Sequence, residues 1–284
     1  MNKDKFKVIF WGVRGSRPVP GRDTIKFGGN TSCVELILGN KILILDAGTG
    51  ICNLGDHLQQ KFKNNTIEAD IFISHTHWDH IQGFPFFQPA WNKKNILNLY
   101  GRSNHTKNDI KNLLAGQMKP SYFPVSFSEM KAEIKFHYFK KDKIIKPGKD
   151  IAVKSLYNPH HSETSHLLRI EYNGHSCCYI TDFEHSTQLE KQLINFIKNT
   201  DLLIYDANFT DDEYEGKGNE PALKGWGHST WQQGIKYARA AGVKKLIFFH
   251  HATHRKDDEL ARIEKKASTD FNCAAAREGM VISL

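Results

Sequence analysis

With 284 residues, 39% of them hydrophobic, the chain can bury a sizeable core in one large domain or two small ones, and a globular class follows. A mean hydropathy of −0.51 and the lack of any apolar run of spanning length exclude an integral helical membrane protein. A formal charge of +8 and a pI of about 9.1 favour anionic ligands by raising their local concentration, although many basic proteins have no such role.

The start, Met1-Asn2-Lys3-Asp4-Lys5, has the basic look of a signal peptide. The apolar stretch Val8–Val13 is short, however, carries Trp11 and Gly12, and runs straight into Arg14. It reads as a first strand, Lys7–Trp11, and a cytoplasmic protein is expected. The turn-rich segments Gly12–Pro18 and Phe27–Ser32 are either loop punctuation or a lining of a site. Strands are expected at Cys33–Leu38 and Lys41–Leu45, then a helix over Gly50–Phe62 and a strand over Asp70–Ser74. The aromatic run Gly83–Trp91 suits a core or dimer contact, or an apolar wall able to stack a nucleobase. Further strands fit Ile96–Tyr100, Ile134–Phe139, Ile151–Leu156, His166–Tyr172, Ser176–Thr181, Leu202–Asp206 and Lys245–Phe249. Helices fit Thr106–Gly116, Thr187–Lys198, Thr230–Ala241 and Asp257–Ser268, before a short apolar tail, Val281–Leu284.

Several consecutive strands before any helix argue against a doubly wound sheet. Two sheets face to face with helices outside fit better: an α+β, four-layer αββα sandwich. No repeat or long linker breaks the chain, so residues 1–284 are expected to form a single domain. The five cysteines are an odd set without metal-finger spacing, and reduced thiols are expected. Cys177 and Cys178 are adjacent in a strand and should face opposite ways.

Strand after strand ends in polar residues: Asp46, His75-Thr76-His77, His160-His161, Asp182 and His250-His251. Strand ends are where a rigid scaffold can aim several ligands at one point. The densest cluster is Ser74-His75-Thr76-His77-Trp78-Asp79-His80, with three histidines and a carboxylate inside six residues. Neutral imidazoles suit zinc and similar metals, and a carboxylate supports a second, harder site. His75 and His77 share a face while the chain is extended, and a turn at Asp79-His80 can offer that pair to a second ion.

His75-Thr76-His77-Trp78-Asp79-His80 resembles the HxHxDH signature of the metallo-β-lactamase superfamily, and the rest of the chain supplies companions in the family's order. The resemblance implies two divalent ions, zinc or else manganese. The third ligand of the first ion is His160 or His161. His161 is preferred because Arg169, eight residues on, resembles part of the Tyr-Arg-Ile strand that follows the ligand in family members. The late histidine is His250 or His251, with His250 preferred as the first residue after the apolar strand. On this reading His75, His77, His161 and Asp182 hold one ion; Asp79, His80, His250 and the shared Asp182 hold the other. Asp46 would fix the metal loop by hydrogen bonds.

Gly225-Trp226-Gly227-His228-Ser229-Thr230 resembles the His-Ser-Thr element of the phosphodiesterase branch, which includes tRNA 3′-processing endonucleases and small phosphodiesterases. Asp206 stands where the endonucleases carry a glutamate. The resemblance implies catalysis by His228 and Asp206, with Asp79 also in the catalytic set. The tRNA-processing enzymes carry a long arm between the third histidine and the bridging aspartate. Here His161 and Asp182 are 21 positions apart, room for a hairpin turning at Asn173-Gly174. The expected substrate is therefore a small anionic phosphodiester, foremost a 3′,5′-cyclic nucleotide, and large RNA is not expected. The alternatives are a metal-dependent ribonuclease of the tRNA 3′-processing type and a non-catalytic nucleic-acid-binding relative. A homodimer and no membrane partner are expected.

Overall fold

The computed structural model describes residues 6–63, 65–102, 109–160, 163–185, 188–218 and 221–284, with 160, 163 and 164 in backbone only. One sheet is built from β1 (Phe6–Gly12), β2 (Cys33–Leu38), β3 (Lys41–Leu45), β4 (Glu68–Phe72), β5 (Ile96–Gly101) and β6 (Glu133–Tyr138). The other holds β7 (Ile145–Gly148), β8 (Ile151–His160), β9 (Glu163–Tyr172), β10 (His175–Ile180), β11 (Leu202–Asp206), β12 (Lys245–Phe249) and β13 (Cys273–Ala275). The last strand, β14 (Val281–Ser283), returns to the first sheet and pairs antiparallel with β1. The strand orders are β14-β1-β2-β3-β4-β5-β6 and β13-β12-β11-β10-β9-β8-β7.

Residue alternation shows why the sheets stack. Phe6, Val8 and Phe10 of β1 and Leu43 and Leu45 of β3 meet Val153, Leu168, Ile170, Tyr179 and Phe249 in a core between the sheets. Ile42, Ile44 and Ile71 point the other way, onto α1 (Gly50–Phe62), the one-turn α2 (Trp78–Ile81) and α3 (Ile110–Gln117). Cys178, Leu203 and Phe248 face α4 (Glu190–Phe196), α6 (Trp231–Ala240) and α7 (Asp257–Ser268), with the short α5 (Asp211–Glu215) preceding α6. Strands covered on both faces are mainly apolar, as the wholly buried β2 and β11 are, Glu35 and the terminal Asp206 apart. The result is the four-layer αββα sandwich, the metallo-β-lactamase fold. Cys177 and Cys178 sit in different cores, and all five cysteines are free thiols.

Several elements differ from the sequence expectation. The tail is a strand, β14, and Cys273–Ala275 is another; three residues are too few to display a period. β8 and β9 form a ten-residue hairpin, longer than expected because Asn158 and Pro159 hid the end of β8. The run Gly83–Trp91 forms two 3₁₀ turns, with Phe84, Phe87 and Ala90 buried in the core shared with α1. Burial of each phenylalanine contributes about 1.5–3 kcal/mol, and that packing removes both from any stacking wall. The helix expected from Thr106 begins, within the described residues, at Ile110, capped by Asp109. Among the described residues no helix is long and apolar enough to cross a membrane.

The parallel strands β3–β6 and β10–β13 set their carboxyl ends along one edge of the sandwich. In open α/β sheets that edge is where ligands bind.

Candidate active site

Asp46 follows β3 directly, His250 follows β12, and Asp182 lies two residues past β10. All three adopt left-handed backbone, with φ of 61°, 59° and 48°. Such conformations are uncommon outside glycine and best tolerated by Asn, Asp and His. Here each strand turns abruptly and delivers its side chain into the same cleft.

Asp46 is fully buried and accepts four hydrogen bonds: Ser74 N at 2.7 Å, Ser74 Oγ at 2.8 Å, His80 Nδ1 at 2.7 Å and Tyr179 Oη at 2.8 Å. Three of these come from the loop after β4, which carries the histidine motif. The fourth comes from β10, so one carboxylate ties the two sheets together under the cleft. The bond at His80 Nδ1 fixes the ring and directs its Nε2 outward into the cleft.

Asp79, His80, Asp182 and His250 form one buried group of donors. His80 Nε2 lies 3.3 Å from Asp79 Oδ2 and 3.0 Å from Asp182 Oδ2; His250 Nε2 lies 3.0 and 3.2 Å from the same oxygens. The two Nε2 atoms are 3.3 Å apart. An ion with bonds of about 2.0–2.2 Å holds tetrahedral ligand atoms about 3.3–3.6 Å apart, so the donors' chemistry and spacing fit a divalent cation. His75 and His77 with Asp182 form a second group, in which His75 Nε2 is 3.6 Å from Asp182 Oδ1. Asp182 thus turns one oxygen to each group. Burial pushes the carboxyls of Asp79 and Asp182 up, but the surrounding histidines outweigh it and hold both well below the usual carboxylate range. Burial, then the neighbouring His80, drives His75 well below its ordinary value and leaves it neutral.

Of the alternative late histidines, His250 faces the cleft. His251 points away, with Nε2 2.9 Å from the Ala276 carbonyl oxygen and its ring edge-on to Phe27. Burial, followed by the charge of Arg14, lowers it to about 3. His161 lies outside the described residues, and His160 closes β8.

His228 stands beside the metal-type donors, its ring 5.0 Å from that of His250. Its Nδ1 donates to Asp206 Oδ2 at 2.9 Å. Burial disfavours the charged ring, yet Asp206, with smaller help from Asp182 and Asp79, raises it to about 9. The His-Ser-Thr element and β11 therefore meet at an imidazolium–carboxylate pair. Thr230 caps α6 by accepting from Gln233 N, which anchors the element's end.

The turn-rich early segment also belongs to the site. Arg14 is fully buried and donates to the carbonyls of Gly28 and Arg255, each at 2.7 Å, pinning the segment to the loop after β12. Ser16 N then donates to Asp79 Oδ2 at 2.7 Å. Gly15 packs on the His250 ring so closely that a Cβ would lie 2.4 Å from Cε1. Ser16, Trp78, Asp79, Asp182, His228 and His250 line an open cavity of about 480 Å³.

Four contributors left no sequence signal. Glu184 accepts from Gly225 N at 2.6 Å, Gly227 N at 2.9 Å and Tyr214 Oη at 2.9 Å, strapping down the loop that ends in His228. Asn208 Nδ2 donates to the His250 carbonyl at 2.9 Å and braces its left-handed turn. Tyr205 and His185 both hydrogen-bond Ser229 Oγ, at 2.8 and 2.9 Å. Each bond spans at least 24 residues, and no local pattern announces it.

Comparison with known proteins agrees with this geometry. Curated relatives named Ribonuclease Z include one from Picrophilus torridus, 25% identical over 304 aligned residues covering 92% of this chain and 91% of the relative. Another, from Archaeoglobus fulgidus, is 24% identical, covering 98% of each. Among solved structures, the metallo-β-lactamase-fold protein YhfI from Bacillus subtilis superposes with a TM-score of 0.72 at 23% identity, covering 99% of this chain and 100% of that one. Human tRNase Z, short form, gives 0.65 at 18%, covering 98% of each. The model of the beta-lactamase superfamily domain matches residues 41–251, a span that holds every member of both donor groups. The chain therefore belongs to the beta-lactamase superfamily and is a metal-dependent hydrolase of the metallo-β-lactamase fold.

Proposed function

We propose that this hydrolase cuts a phosphodiester bond of RNA, in the manner of a 3′-processing ribonuclease. In this reading His75, His77, Asp182 and His161 hold one divalent ion, and Asp79, His80, His250 and Asp182 hold a second, zinc in preference to manganese. Such ions, when bound, supply an activated water at neutral pH and offset charge on the phosphoryl oxygens.

The observation that carries the proposal is the His228–Asp206 bond at 2.9 Å, set against the donor cluster. The sugar oxygen leaving a phosphodiester departs poorly as an alkoxide and needs a proton. With Nδ1 committed to Asp206, the charged ring gives that proton from Nε2, a contribution of about 10²–10⁴-fold. Ser16 N, Asp46 and Asn208 hold Asp79, His80 and His250 in place. RNA as the substrate is supported by the curated relatives named Ribonuclease Z, which match over nine-tenths of the chain, and by the charge of +8.

A second reading, hydrolysis of a 3′,5′-cyclic nucleotide, is favoured by one observation. Where a tRNA-gripping arm would project, β9 and β10 are joined only by Asn173-Gly174. In the ribonuclease reading a second copy of the chain takes over that grip. Metal-reconstituted protein should be incubated with a 3′-extended tRNA precursor and, separately, with cyclic nucleotides. Trimming of the precursor is the expected result. Opening of cyclic nucleotides with an intact precursor would replace the first reading by the second, and inertness toward both would overturn both.

A further inference from the structure

A second cavity, of about 760 Å³, is lined by none of the metal-type donors and has no part in the chemistry above. It opens where β5 and β6 end: Arg102 follows β5, and Phe139, Lys140 and Lys141 follow β6. These strands lie one and two places along the sheet from β4, whose own end leads into His75. The facing wall is Tyr157 of β8 and His166 of β9. The His166 amide donates to the Ser74 carbonyl at 2.9 Å, so the cavity wall is bonded directly to the histidine loop.

The walls are aromatic and the rim is cationic. The rings of Phe139 and His166 stack with centroids 4.2 Å apart, and Tyr157, 58% exposed, stands edge-on to His166 at 6.4 Å. Burial, then the charge of Arg102, lowers His166 to about 4, so the ring is neutral at pH 7. Its Nδ1 makes no hydrogen bond among the described residues, and a neutral imidazole can donate from one nitrogen and accept at the other. Among the described residues that line it, Arg102, Lys140 and Lys141 stand with one acid, Asp142. The adjoining cavity, which shares Pro159 and Leu189 with this one, carries Glu184, Glu190 and Glu215 against Lys224. A phosphate is drawn to the first and repelled by the second.

We propose that the cavity behind the histidine loop is a nucleotide subsite: Tyr157 offers a stacking face to the base next to the scissile phosphate, and Arg102, Lys140 and Lys141 draw in its charge. The proposal rests on the phosphodiester reading and adds what lies beside the bond being cut. Stacking on an aromatic side chain favours a base by about tenfold or more, while a sugar phosphate without a base gains only the electrostatic part.

The test compares p-nitrophenyl esters of thymidine 3′- and 5′-phosphate with methyl p-nitrophenyl phosphate, which shares their leaving group but has no nucleoside. For the metal-loaded full chain, kcat/KM for one nucleoside ester should exceed that for the methyl ester by about tenfold or more. Tyr157→Ala should cut that ratio severalfold, whereas Lys141→Glu, which acts on the charge both esters share, should lower both rates and keep the ratio; a merely destabilised Tyr157→Ala protein would also lose both rates together and keep the ratio. No preference in the parent, or a preference untouched by Tyr157→Ala, would overturn the proposal. Calorimetry on chelated protein gives a second arm, with adenosine 5′-monophosphate against ribose 5-phosphate. Tighter binding of the nucleotide, lost in Tyr157→Ala, is expected, and equal binding of the two would overturn the subsite. If no ester is turned over, the phosphodiester reading is decided by the tRNA precursor and the cyclic nucleotides, and the calorimetry still decides whether the cavity takes a base.

Discussion

At the scale of single residues, His228 and Asp206 carry the sharpest expectations. His228→Ala should keep its metal content by elemental analysis and lose about 10²–10⁴-fold in turnover of a diester with an alkoxide leaving group. Cleavage of bis-p-nitrophenyl phosphate should suffer far less, because p-nitrophenolate leaves without a proton. Equal losses on both substrates would place His228 in a structural or phosphate-binding role. The pH dependence follows from the same pair. A general acid works only while protonated, so with His228 raised to about 9, activity on alkoxide substrates persists through neutrality and falls as pH rises through that value. Bound cations offset the smaller contributions of Asp182 and Asp79, which moves the fall somewhat lower. Asp206→Asn removes the main support, and the alkaline fall in kcat/KM should shift further toward the ordinary histidine value of about 6.5. A profile whose alkaline side does not move would disconnect the two residues.

At the scale of elements, the loop Gly225–Gly227 has no packed core of its own, and Glu184 holds it by two backbone amides. A carboxylate accepting from amides forms stronger bonds than a neutral amide oxygen does. Glu184→Gln should therefore loosen the loop, lower kcat by about tenfold with little change in KM, and speed hydrogen exchange at Gly225 and Gly227; each lost increment in bond strength is worth about 1 kcal/mol. Unchanged exchange would remove Glu184 from this role. How far such elements were legible depended on range. The histidine loop was legible because its donors fall within six residues, and the His-Ser-Thr element because it abuts a helix with a recognisable cap. Glu184 was not, since a carboxylate meeting amides some forty residues away has no local period. The aromatic run was legible as apolar but not as to which surface it covers, a matter settled by packing on α1.

At the scale of the whole molecule, Asp182 joins the two donor groups as His80 and Tyr179 join the two sheets through Asp46. Asp182→Ala should abolish activity and reduce bound metal from two ions per chain to one or none by elemental analysis. A fully active parent holding a single ion would contradict the two-ion reading. The sandwich itself was readable from the order of strands and helices, whereas β13 and β14, which lengthen its edges, were too short to be seen. One feature of the cleft has a consequence for how this chain can change. Asp46, Asp182 and His250 each occupy left-handed backbone that glycine adopts freely, and a non-glycine residue there costs about 1–2 kcal/mol. Asp79 and Asp182 also crowd negative charge into the sandwich interior. In the absence of metal, His250→Gly should relax one such turn but open a void against Gly15 and take a histidine partner from Asp79 and Asp182, so the melting temperature should fall. The strain at these corners is thus held in place by the packing and ion pairs into which they deliver their side chains, and a drift toward glycine there would cost the sandwich its durability together with its turnover.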